Sequence, residues 1–360
     1  MKENEILIIY GNSPAEMAVK IAEAADLAGL IGDRKKRIGL KPNLVVSRPA
    51  SDGATTHPEI AAGIIAYLKK NGFNNIVILE GSWTGDSTTR AFSACGYTGF
   101  AKKAGVELID TQKDSYKTID CKGIKIDICQ SALAVDFMIN LPVLKGHCQT
   151  KLTCALKNHK GVISDSEKRR FHGLGLHRPI AHLNTAVRND FIVVDGICGD
   201  LDFEEGGNPL FGGRLFAARD PVLCDTFAAE LIGYKIDEIP YIGLAEKLGV
   251  GITGSAVVRE INKNSEVPSA PKPAGKVKQL AAFIKEESAC SSCYAGLISA
   301  LSRLDRAKRS SLQEICIGQG FKGKKGKIGV GSCTSAFTAS CPGCPPTGAQ
   351  VLRFLESVGY

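Results

Sequence analysis

Six of the thirteen cysteines lie close together near the carboxyl end of this 360-residue sequence. They occur in a Cys-Ser-Ser-Cys run at 290–293, at Cys316, in Gly-Ser-Cys at 331–333 and in Cys-Pro-Gly-Cys-Pro-Pro at 341–346. Thiolates are preferred ligands of soft metal ions and of iron–sulfur clusters. A disulfide framework or inert buried thiols would use the same residue type, so the cellular compartment has to separate these interpretations.

The compartment is indicated by the start of the chain. A charged run passes directly into an apolar, strand-like stretch, without the apolar segment and cleavage site of a secretory signal. No apolar run reaches the roughly 18 residues that a membrane-spanning helix needs. We therefore expect a soluble, cytoplasmic protein with no membrane partner. Thiols are kept reduced there, so clustered cysteines predict a metal or catalytic site rather than disulfides.

Four of the clustered cysteines are the preferred ligands of a predicted [4Fe–4S] cluster. Cys290 and Cys293 share one turn, Cys333 follows an apparent strand, and Cys344 lies between a glycine and two prolines. Cys341 is an alternative to Cys333. Structural zinc also takes four cysteines, commonly as two short Cys-x-x-Cys knuckles, and a second knuckle here would run from Cys341 to Cys344. Zinc therefore stays open as the alternative metal.

The basic excess of the chain is concentrated beside these cysteines. The formal net charge is +8, and residues 276–360 hold twelve Lys and Arg against five Asp and Glu, so residues 1–275 carry only +1. Cations stabilise an anionic iron–sulfur cluster, and a basic face also suits the docking of an acidic electron-transfer protein. Nucleic acid is a less favoured partner, because no aromatic side chains are interleaved with the basic runs.

A second group of reactive residues lies upstream, between residues 141 and 178. It contains four of the six histidines and several lysines. Lysine and asparagine suit an anionic ligand, whereas histidine suits proton transfer near neutral pH or a divalent metal. No histidine pair has the spacing of a helical zinc site. We expect a small anionic ligand here, with metal binding and a structural role as the open alternatives.

Alternating strand-like and helix-like segments should position this chemistry. Over residues 1–262 they predict an α/β fold, with a mostly parallel sheet and helices on both faces. Residues 263–275, rich in Pro, Ser and Lys, predict a linker. Residues 276–360 predict a small Cys-rich iron–sulfur module of α+β type. In an open sheet of this kind, ligands bind beyond the carboxyl ends of the strands.

Clusters of Lys, Asn, Glu, His and Asp follow several apparent strand ends and should meet at this edge of the sheet. His147 would exchange a proton with the ligand, with Glu80 or Asp195 as its partner. The candidate substrate-binding residues are Lys41, Asn43, Lys157 and Asn158, and the candidate catalytic residues are Lys145, His147, Glu80 and Asp195.

The acidic, glycine-rich stretch at 195–209 is a further candidate. Its carboxylates could hold Mg²⁺ or Ca²⁺, although the spacing does not match an EF-hand loop. We expect an exposed loop here. Neither a dinucleotide-binding nor an ATP-type glycine motif follows a predicted strand.

Several of these motifs together resemble a known family. Lys-Pro-Asn at 41–43, the run at 140–147, Thr-x-x-Leu-Lys-Asn at 153–158 and Asp-Pro-Val-Leu-Cys-Asp at 220–225 are similar to the prokaryotic family called domain of unknown function 362. The resemblance covers roughly residues 36–250 and implies an α/β core. Members are often described as iron–sulfur cluster-binding proteins, while the reaction of the family is not established.

The cysteine-rich tail has a resemblance of its own. The segment 342–355 is similar to the Pro-Gly-Cys-Pro-Pro segment that supplies a cluster ligand in small subunits of nickel–iron hydrogenases. The rest of the hydrogenase pattern is not evident, so hydrogen chemistry is not expected. The leading hypothesis is an iron–sulfur redox protein, a possible oxidoreductase, whose cluster relays electrons to an anionic small molecule or cofactor on the α/β core. Two other functions stay open: a non-redox binding or maturation protein, and a Lys/His-dependent enzyme in which zinc or a cluster is structural.

Overall fold

The structure, a computed structural model, describes residues 1–262, 266, 268–270, 272–273, 275–312 and 314–358. The chain divides into two compact units. Unit 1 comprises Met1–Glu167 and His177–Pro273, and unit 2 comprises Lys168–Leu176 and Ala274–Tyr360. Of the predicted linker, residues 263–265, 267, 271 and 274 lie outside the described residues.

The strands of unit 1 alternate with helices along the chain. The described strands are β1 (Glu5–Tyr10), β2 (Ile38–Pro42), β3 (Ile76–Glu80), β4 (Glu107–Asp110), β5 (Tyr116–Asp120), β6 (Lys125–Cys129), β7 (Phe137–Leu141), β8 (Lys145–His147), β9 (Lys151–Thr153), β10 (Phe191–Gly199), β11 (Leu210–Ala218) and β12 (Val257–Glu260).

Eight of these described strands form one sheet in the order β12-β1-β11-β10-β7-β2-β3-β4. Only the two pairings of β11 are antiparallel, and all other neighbours run parallel. Strands β2, β3, β7 and β10 are buried at every position, as expected of strands covered on both faces. The mostly parallel α/β fold that the sequence predicts is confirmed. Separate antiparallel pairs are formed by β5 with β6 and by β8 with β9.

Helices flank this sheet and close its core. Ile21, Ile64 and Leu68 pack with strand residues such as Ile139 and Val193 in one apolar cluster. The described helices of unit 1 are α1 (Pro14–Ala24), α2 (Leu27–Ile31), α3 (Pro58–Lys70), α4 (Thr88–Ala94), α5 (Tyr97–Ala104), α6 (Gln130–Leu133), α7 (Ala155–Asn158), α9 (His177–Leu183), α10 (Pro221–Leu231) and α11 (Pro240–Lys247), with 3₁₀ turns at Ala50–Asp52, Thr111–Lys113, His159–Val162 and Ile236–Glu238. Helix α8 (Asp165–Gly173) is divided between the units, because its residues from Lys168 onward belong to unit 2.

Unit 2 contains a smaller sheet, which is parallel throughout in the order β13-β14-β15-β16. The predicted module was of α+β type, whereas a parallel sheet with intervening helices is an α/β arrangement. Its described elements are β13 (Ile284–Glu286), β14 (Ile315–Ile317), β15 (Ile328–Val330), β16 (Ala339–Cys341), α12 (Lys276–Ala281), α13 (Ser291–Arg303), α14 (Arg306–Ser311) and α15 (Gly348–Ser357), with 3₁₀ turns at Gln319–Phe321 and Ser332–Thr334.

Within the described parts of the chain, no helix is both long enough and apolar enough to cross a membrane.

Candidate functional sites

A buried ion pair joins the ends of two neighbouring strands in unit 1. Lys41 of β2 pairs with Glu80 of β3, and neither side chain is more than 3% exposed. The Lys41 ammonium also donates to the Pro42 carbonyl (2.8 Å), and Glu80 accepts from the Leu44 amide (2.8 Å). A Cβ at Gly161 would lie 2.5 Å from Glu80 Oε2 and 2.6 Å from Lys41 Nζ, so the pair requires glycine there.

Asparagine side chains extend this network. Asn158 donates from Nδ2 to the Lys41 carbonyl (3.0 Å) and to Asn140 Oδ1 (2.7 Å), and it accepts from Asn43 Nδ2 (2.9 Å). Asn140 in turn donates to the Ala155 carbonyl (3.0 Å). The structure therefore brings the predicted ligand-binding residues Asn43 and Asn158 together, but their amides are hydrogen-bonded within the protein.

Lys145 of β8 is completely buried. Its ammonium donates to Asn43 Oδ1 (3.0 Å), the Ala54 carbonyl (2.6 Å) and the Glu204 carbonyl (3.0 Å). Three acceptors match the three protons of a lysine ammonium. Burial lowers the pKa of Lys145 to about 7, although the charge of Glu204 opposes this shift.

Glu204 connects two further candidates. Its Oε1 accepts from Lys157 (2.5 Å), and its Oε2 accepts from His147 Nε2 (2.9 Å). His147 Nδ1 accepts from the backbone amides of Gln149 (3.1 Å) and Thr150 (3.0 Å), which places the ring proton on Nε2. Burial lowers the pKa of His147 to about 4. Burial opposes ionisation of Glu204, but its contacts with His147 and Lys157 hold its pKa well below the usual range.

Neither of the two predicted proton partners of His147, Glu80 and Asp195, pairs with it. Glu80 is paired with Lys41, and Asp195 with His57, whereas His147 pairs with Glu204. Both ring nitrogens of His147 are thus occupied inside a buried network. Catalytic proton exchange with an outside ligand would need this network to open.

Glu204 belongs to the acidic stretch that the sequence predicts to be an exposed loop, and this prediction is wrong. Strand β10 continues to Gly199, and the completely buried Asp200 closes the following loop. Its carboxylate accepts the backbone amides of Asp202 (2.9 Å), Phe203 (2.8 Å) and Asn208 (2.8 Å). An aspartate that bonds to amides two and three residues onward is typical of a tight turn, and this signal was present in the sequence.

Sequence reasoning missed His57, which forms a second His–carboxylate pair. Its Nδ1 lies 2.8 Å from Asp195 Oδ2, and its backbone amide donates to the same oxygen (2.8 Å). The His57 side chain is 16% exposed, whereas Asp195 is completely buried and also accepts from the Ile197 amide (3.1 Å). Burial alone would lower the pKa of His57, but Asp195 raises it above its usual value. The His57-Pro58 start of α3 was the available signal.

The remaining candidate histidines do not gather into a metal site. His159 bonds through Nδ1 to Asn184 (3.1 Å), and burial lowers its pKa to about 3. His172 of unit 2 accepts from the Ser291 amide (3.3 Å), and the His177 ring stacks on Tyr241. Among the described residues, only one group of three metal-ligating side chains has all its ligand atoms within 4.8 Å of one another, and it consists of Cys154, Cys224 and Asp225.

In unit 2, the parallel sheet carries cysteines to one edge. Cys290 lies beyond the end of β13, Cys333 beyond β15 and Cys344 beyond β16. Cys290 is also the N-cap of α13, and Cys293 lies in the first turn of that helix. Because the carboxyl ends of parallel strands share one edge, these four thiols converge. We call Cys290, Cys293, Cys333 and Cys344 the thiol site.

The pKa of the Cys293 thiol supports this convergence. Burial raises the pKa of Cys293 to about 12, and the neighbouring thiols of Cys290, Cys344 and Cys333 contribute to the rise. The pKa of Cys341 is also raised, but by burial alone. Cys341 ends β16 and is 2% exposed. The structure therefore gathers the four preferred cysteines and leaves Cys341 outside the group.

Cations and a helix terminus surround the thiol site. Arg169 lowers the pKa of Cys293, and Lys322 lowers that of Cys333, each against the larger effect of burial. The amino end of the 13-residue helix α13 carries the Cys-x-x-Cys turn, and such helix ends favour thiolates. Gln319 donates from Nε2 to Cys290 Sγ (3.9 Å). These cations and the helix terminus therefore oppose the effect of burial, which on balance still raises the pKa of Cys293 and of Cys333.

Comparison with known proteins identifies the family of unit 1. Residues 38–230 match the family described as "Domain of unknown function (DUF362)". The chain is 24% identical over 249 residues to the thylakoid-associated protein sll1697 of Synechocystis sp., a match that spans 64% of this chain and 74% of that protein. The lactate racemase apoprotein of Thermoanaerobacterium thermosaccharolyticum matches 66% of this chain, with a TM-score of 0.42 and 12% identity, and the chain spans 59% of that structure.

Proposed function

The chain belongs to the DUF362 family, and we propose that it is an iron–sulfur redox protein with one [4Fe–4S] cluster in unit 2. The four cysteines of the thiol site would be its ligands. The observation that carries the proposal is their convergence beyond the carboxyl ends of three parallel strands, with a Cys-x-x-Cys turn at a helix amino terminus. Four cysteine thiolates are the usual ligand set of such a cluster.

Within the described residues, the tail thiols are not gathered as closely as a single zinc ion requires. Zinc–sulfur bonds of about 2.3 Å place the four sulfur atoms of a tetrahedral site roughly 4 Å apart. Among the described residues, no three of the tail cysteines have sulfur atoms within 4.8 Å of one another. A cubane of four iron and four sulfide ions is larger than one metal ion, so its four ligands do not have to approach one another this closely.

The charges around the thiol site also support a cluster. A [4Fe–4S] centre with four thiolates is a net anion. Arg169 and Lys322 both act on these thiols, and each favours their ionised form. When bound, the cluster would supply one-electron chemistry, and these two cations would stabilise the negative charge that it gains on reduction.

For unit 1 we propose a small anionic molecule or cofactor as the partner in electron exchange. The buried ammonium groups of Lys41, Lys145 and Lys157 form a cationic interior, although each is matched by a carboxylate or by carbonyls. An entering anion would therefore have to displace Glu80 or Glu204.

We assign proton exchange with that molecule to His57 rather than to His147. The Nε2 atom of His57 makes no hydrogen bond within the described residues, and the His57 side chain is partly exposed. Asp195 orients the ring from the opposite side. The raised pKa of His57 keeps the imidazole protonated closer to neutral pH.

Anaerobic purification tests the redox proposal. We expect iron and acid-labile sulfide in equal amounts, and a visible absorption band that bleaches on addition of dithionite. One zinc ion per chain without sulfide would contradict the proposal and support the structural-zinc alternative. A protein that contains iron and sulfide but is not reduced by dithionite would contradict the electron-transfer role.

A further inference from the structure

Unit 2 carries a basic loop that starts beside the thiol site. We call residues 322–327, between β14 and β15, the lysine loop, and its lysines at 322, 324, 325 and 327 are all exposed. The loop follows directly after the turn Gln319–Phe321, whose first residue donates to Cys290. Lys322, at its beginning, lowers the pKa of Cys333 against the effect of burial. The loop therefore begins close to Cys333 and directly after the turn that contacts Cys290.

A cavity of about 490 Å³ opens beside this loop. Lys285 of β13 and Cys316 of β14, which are paired neighbours in the sheet, contribute to its wall. Phe321 and Phe337 meet edge to face at 5.8 Å and form its apolar part. Cys316 is half-buried here. The cavity and the lysine loop together form one continuous basic surface.

The charges of this surface do not cancel. Lys324 pairs with Glu287 (2.7 Å) and Lys285 with Glu314 (3.5 Å). Lys322 and Lys325 form no ion pair with any carboxylate among the described residues. Lys327 adds a further exposed cation. Lys322 and Lys325 therefore leave an excess of positive charge on this surface.

We propose that the lysine loop and its cavity dock a small acidic protein that carries one electron, such as a ferredoxin. This inference rests on the proposed function of unit 2. One electron would leave the reduced carrier and reduce the [4Fe–4S]²⁺ cluster to [4Fe–4S]⁺, so the carrier is released oxidised and no atom is transferred. Complementary charge accelerates such encounters and orients the partners.

The distribution of the lysines favours a protein over the other anionic partners. Lysines of β13 and of the lysine loop line the cavity, and Lys322 lies outside that lining, so one small anion could not contact all of them. Single-stranded nucleic acid is recognised on exposed aromatic rings. Phe321 and Phe337 are only 5% and 8% exposed, so they offer no stacking platform.

Binding of a plant-type [2Fe–2S] ferredoxin to the full-length protein tests the docking surface without use of the cluster. The variant K325E/K327E reverses two charges on the lysine loop. The matched control R306E/R353E makes the same change at two exposed residues of α14 and α15. By calorimetry at low salt, we expect the loop variant to bind at least tenfold more weakly and the control to bind less than twofold more weakly. Equal losses in both variants, or no binding by wild type, would overturn the proposal.

Carbodiimide cross-linking identifies the contact itself, because it joins lysines directly to carboxylates. Mass spectrometry should locate the cross-links to ferredoxin within the lysine loop. Cross-links confined to lysines of unit 1 would contradict the proposed surface. Binding of a short single-stranded oligonucleotide, abolished by K325E/K327E, together with no cross-link to ferredoxin, would instead assign the surface to nucleic acid.

Reduction kinetics compare an acidic reductant with a cationic one. In stopped-flow experiments, K325E/K327E should slow cluster reduction by ferredoxin at least tenfold at low salt, and this difference should shrink as salt screens the charges. Reduction by the methyl viologen radical, which is a cation, should not be slowed. Slowing with both reductants would overturn the docking interpretation. A wild-type protein without cluster absorbance would refute the proposed function, while the binding experiment would still decide whether the surface docks ferredoxin.

Discussion

Unit 1 and unit 2 treat their reactive side chains in opposite ways. In unit 1 the buried charges are matched inside the protein, as in the pairs of Lys41 with Glu80 and of Lys157 with Glu204. In unit 2 the thiol site is accessible: Cys344 is exposed, and its three partner cysteines are partly buried among cations. The buried charges of unit 1 therefore stabilise its fold, whereas the thiols of unit 2 remain accessible to the proposed cluster.

The largest effect should come from breaking an internal pair of unit 1. Lys41→Met leaves the Glu80 carboxylate buried without its cation, and we expect unfolding free energy to fall by about 3–5 kcal/mol. Lys113→Met is the matched control, because Lys113 is 69% exposed in its pair with Asp110. It should lose less than about 1 kcal/mol. Urea unfolding measures both, and equal losses would erase the proposed contrast between buried and surface pairs.

Acid should destabilise unit 1 through its buried neutral histidines. Burial lowers the pKa of His147 to about 4 and that of His159 to about 3. An unfolded histidine titrates near 6.5, so between these values the unfolded chain binds more protons and stability falls as pH falls. At pH 5 we expect a loss of about 2 kcal/mol per histidine relative to pH 7. His159→Gln should flatten this dependence in urea unfolding, and an unchanged slope would show that His159 is not its source.

Close packing around the Lys41–Glu80 pair can be tested with glycine substitutions. Gly161→Ala places a methyl group against both charged atoms and should cost about 1–3 kcal/mol. Gly99→Ala, within helix α5, meets no atom within 4 Å and should stabilise by about 0.5–1 kcal/mol. Thermal unfolding of the two variants sharpens the contrast. A neutral Gly161→Ala would mean that the network is looser than described.

The smallest expected effect is a change in the pKa of the partly exposed His57. Asp195→Asn removes the charge that raises the pKa of His57, so this pKa should fall. In the wild type, the stabilisation from this pair is complete below the unfolded pKa and is lost as pH rises through the folded one. The variant should lose that dependence. NMR titration of the imidazole measures the shift, with Asp190→Asn as a control that does not touch His57; an unchanged pKa would contradict the pairing.

The large sheet was predictable because buried parallel strands are continuous apolar runs. Strands β2, β3, β7 and β10 show this pattern plainly, and their local sequence suffices to identify them. The small sheet was harder, since each of its strands has only three residues. Its parallel order depends on contacts between distant segments, and local patterns do not encode these.

The candidate sites also differ in how far local sequence predicts them. Cys290 and Cys293 are recognisable from local spacing, but the pairs of His57 with Asp195 and of His147 with Glu204 span long stretches of chain. Residue type could not show which carboxylate meets which histidine. The choice between Cys333 and Cys341 depends on the end of β16, where Cys341 is buried and lies outside the thiol site.

Two single cysteine variants of the anaerobically purified protein test which cysteines are the cluster ligands. The thiol site includes Cys333 and excludes Cys341, although both are cysteines of the same sheet edge. Iron and acid-labile sulfide per folded chain should fall to less than half in Cys333→Ser and stay at the wild-type level in Cys341→Ser. Full cluster content in Cys333→Ser together with its loss in Cys341→Ser would contradict the ligand set that this structure assembles.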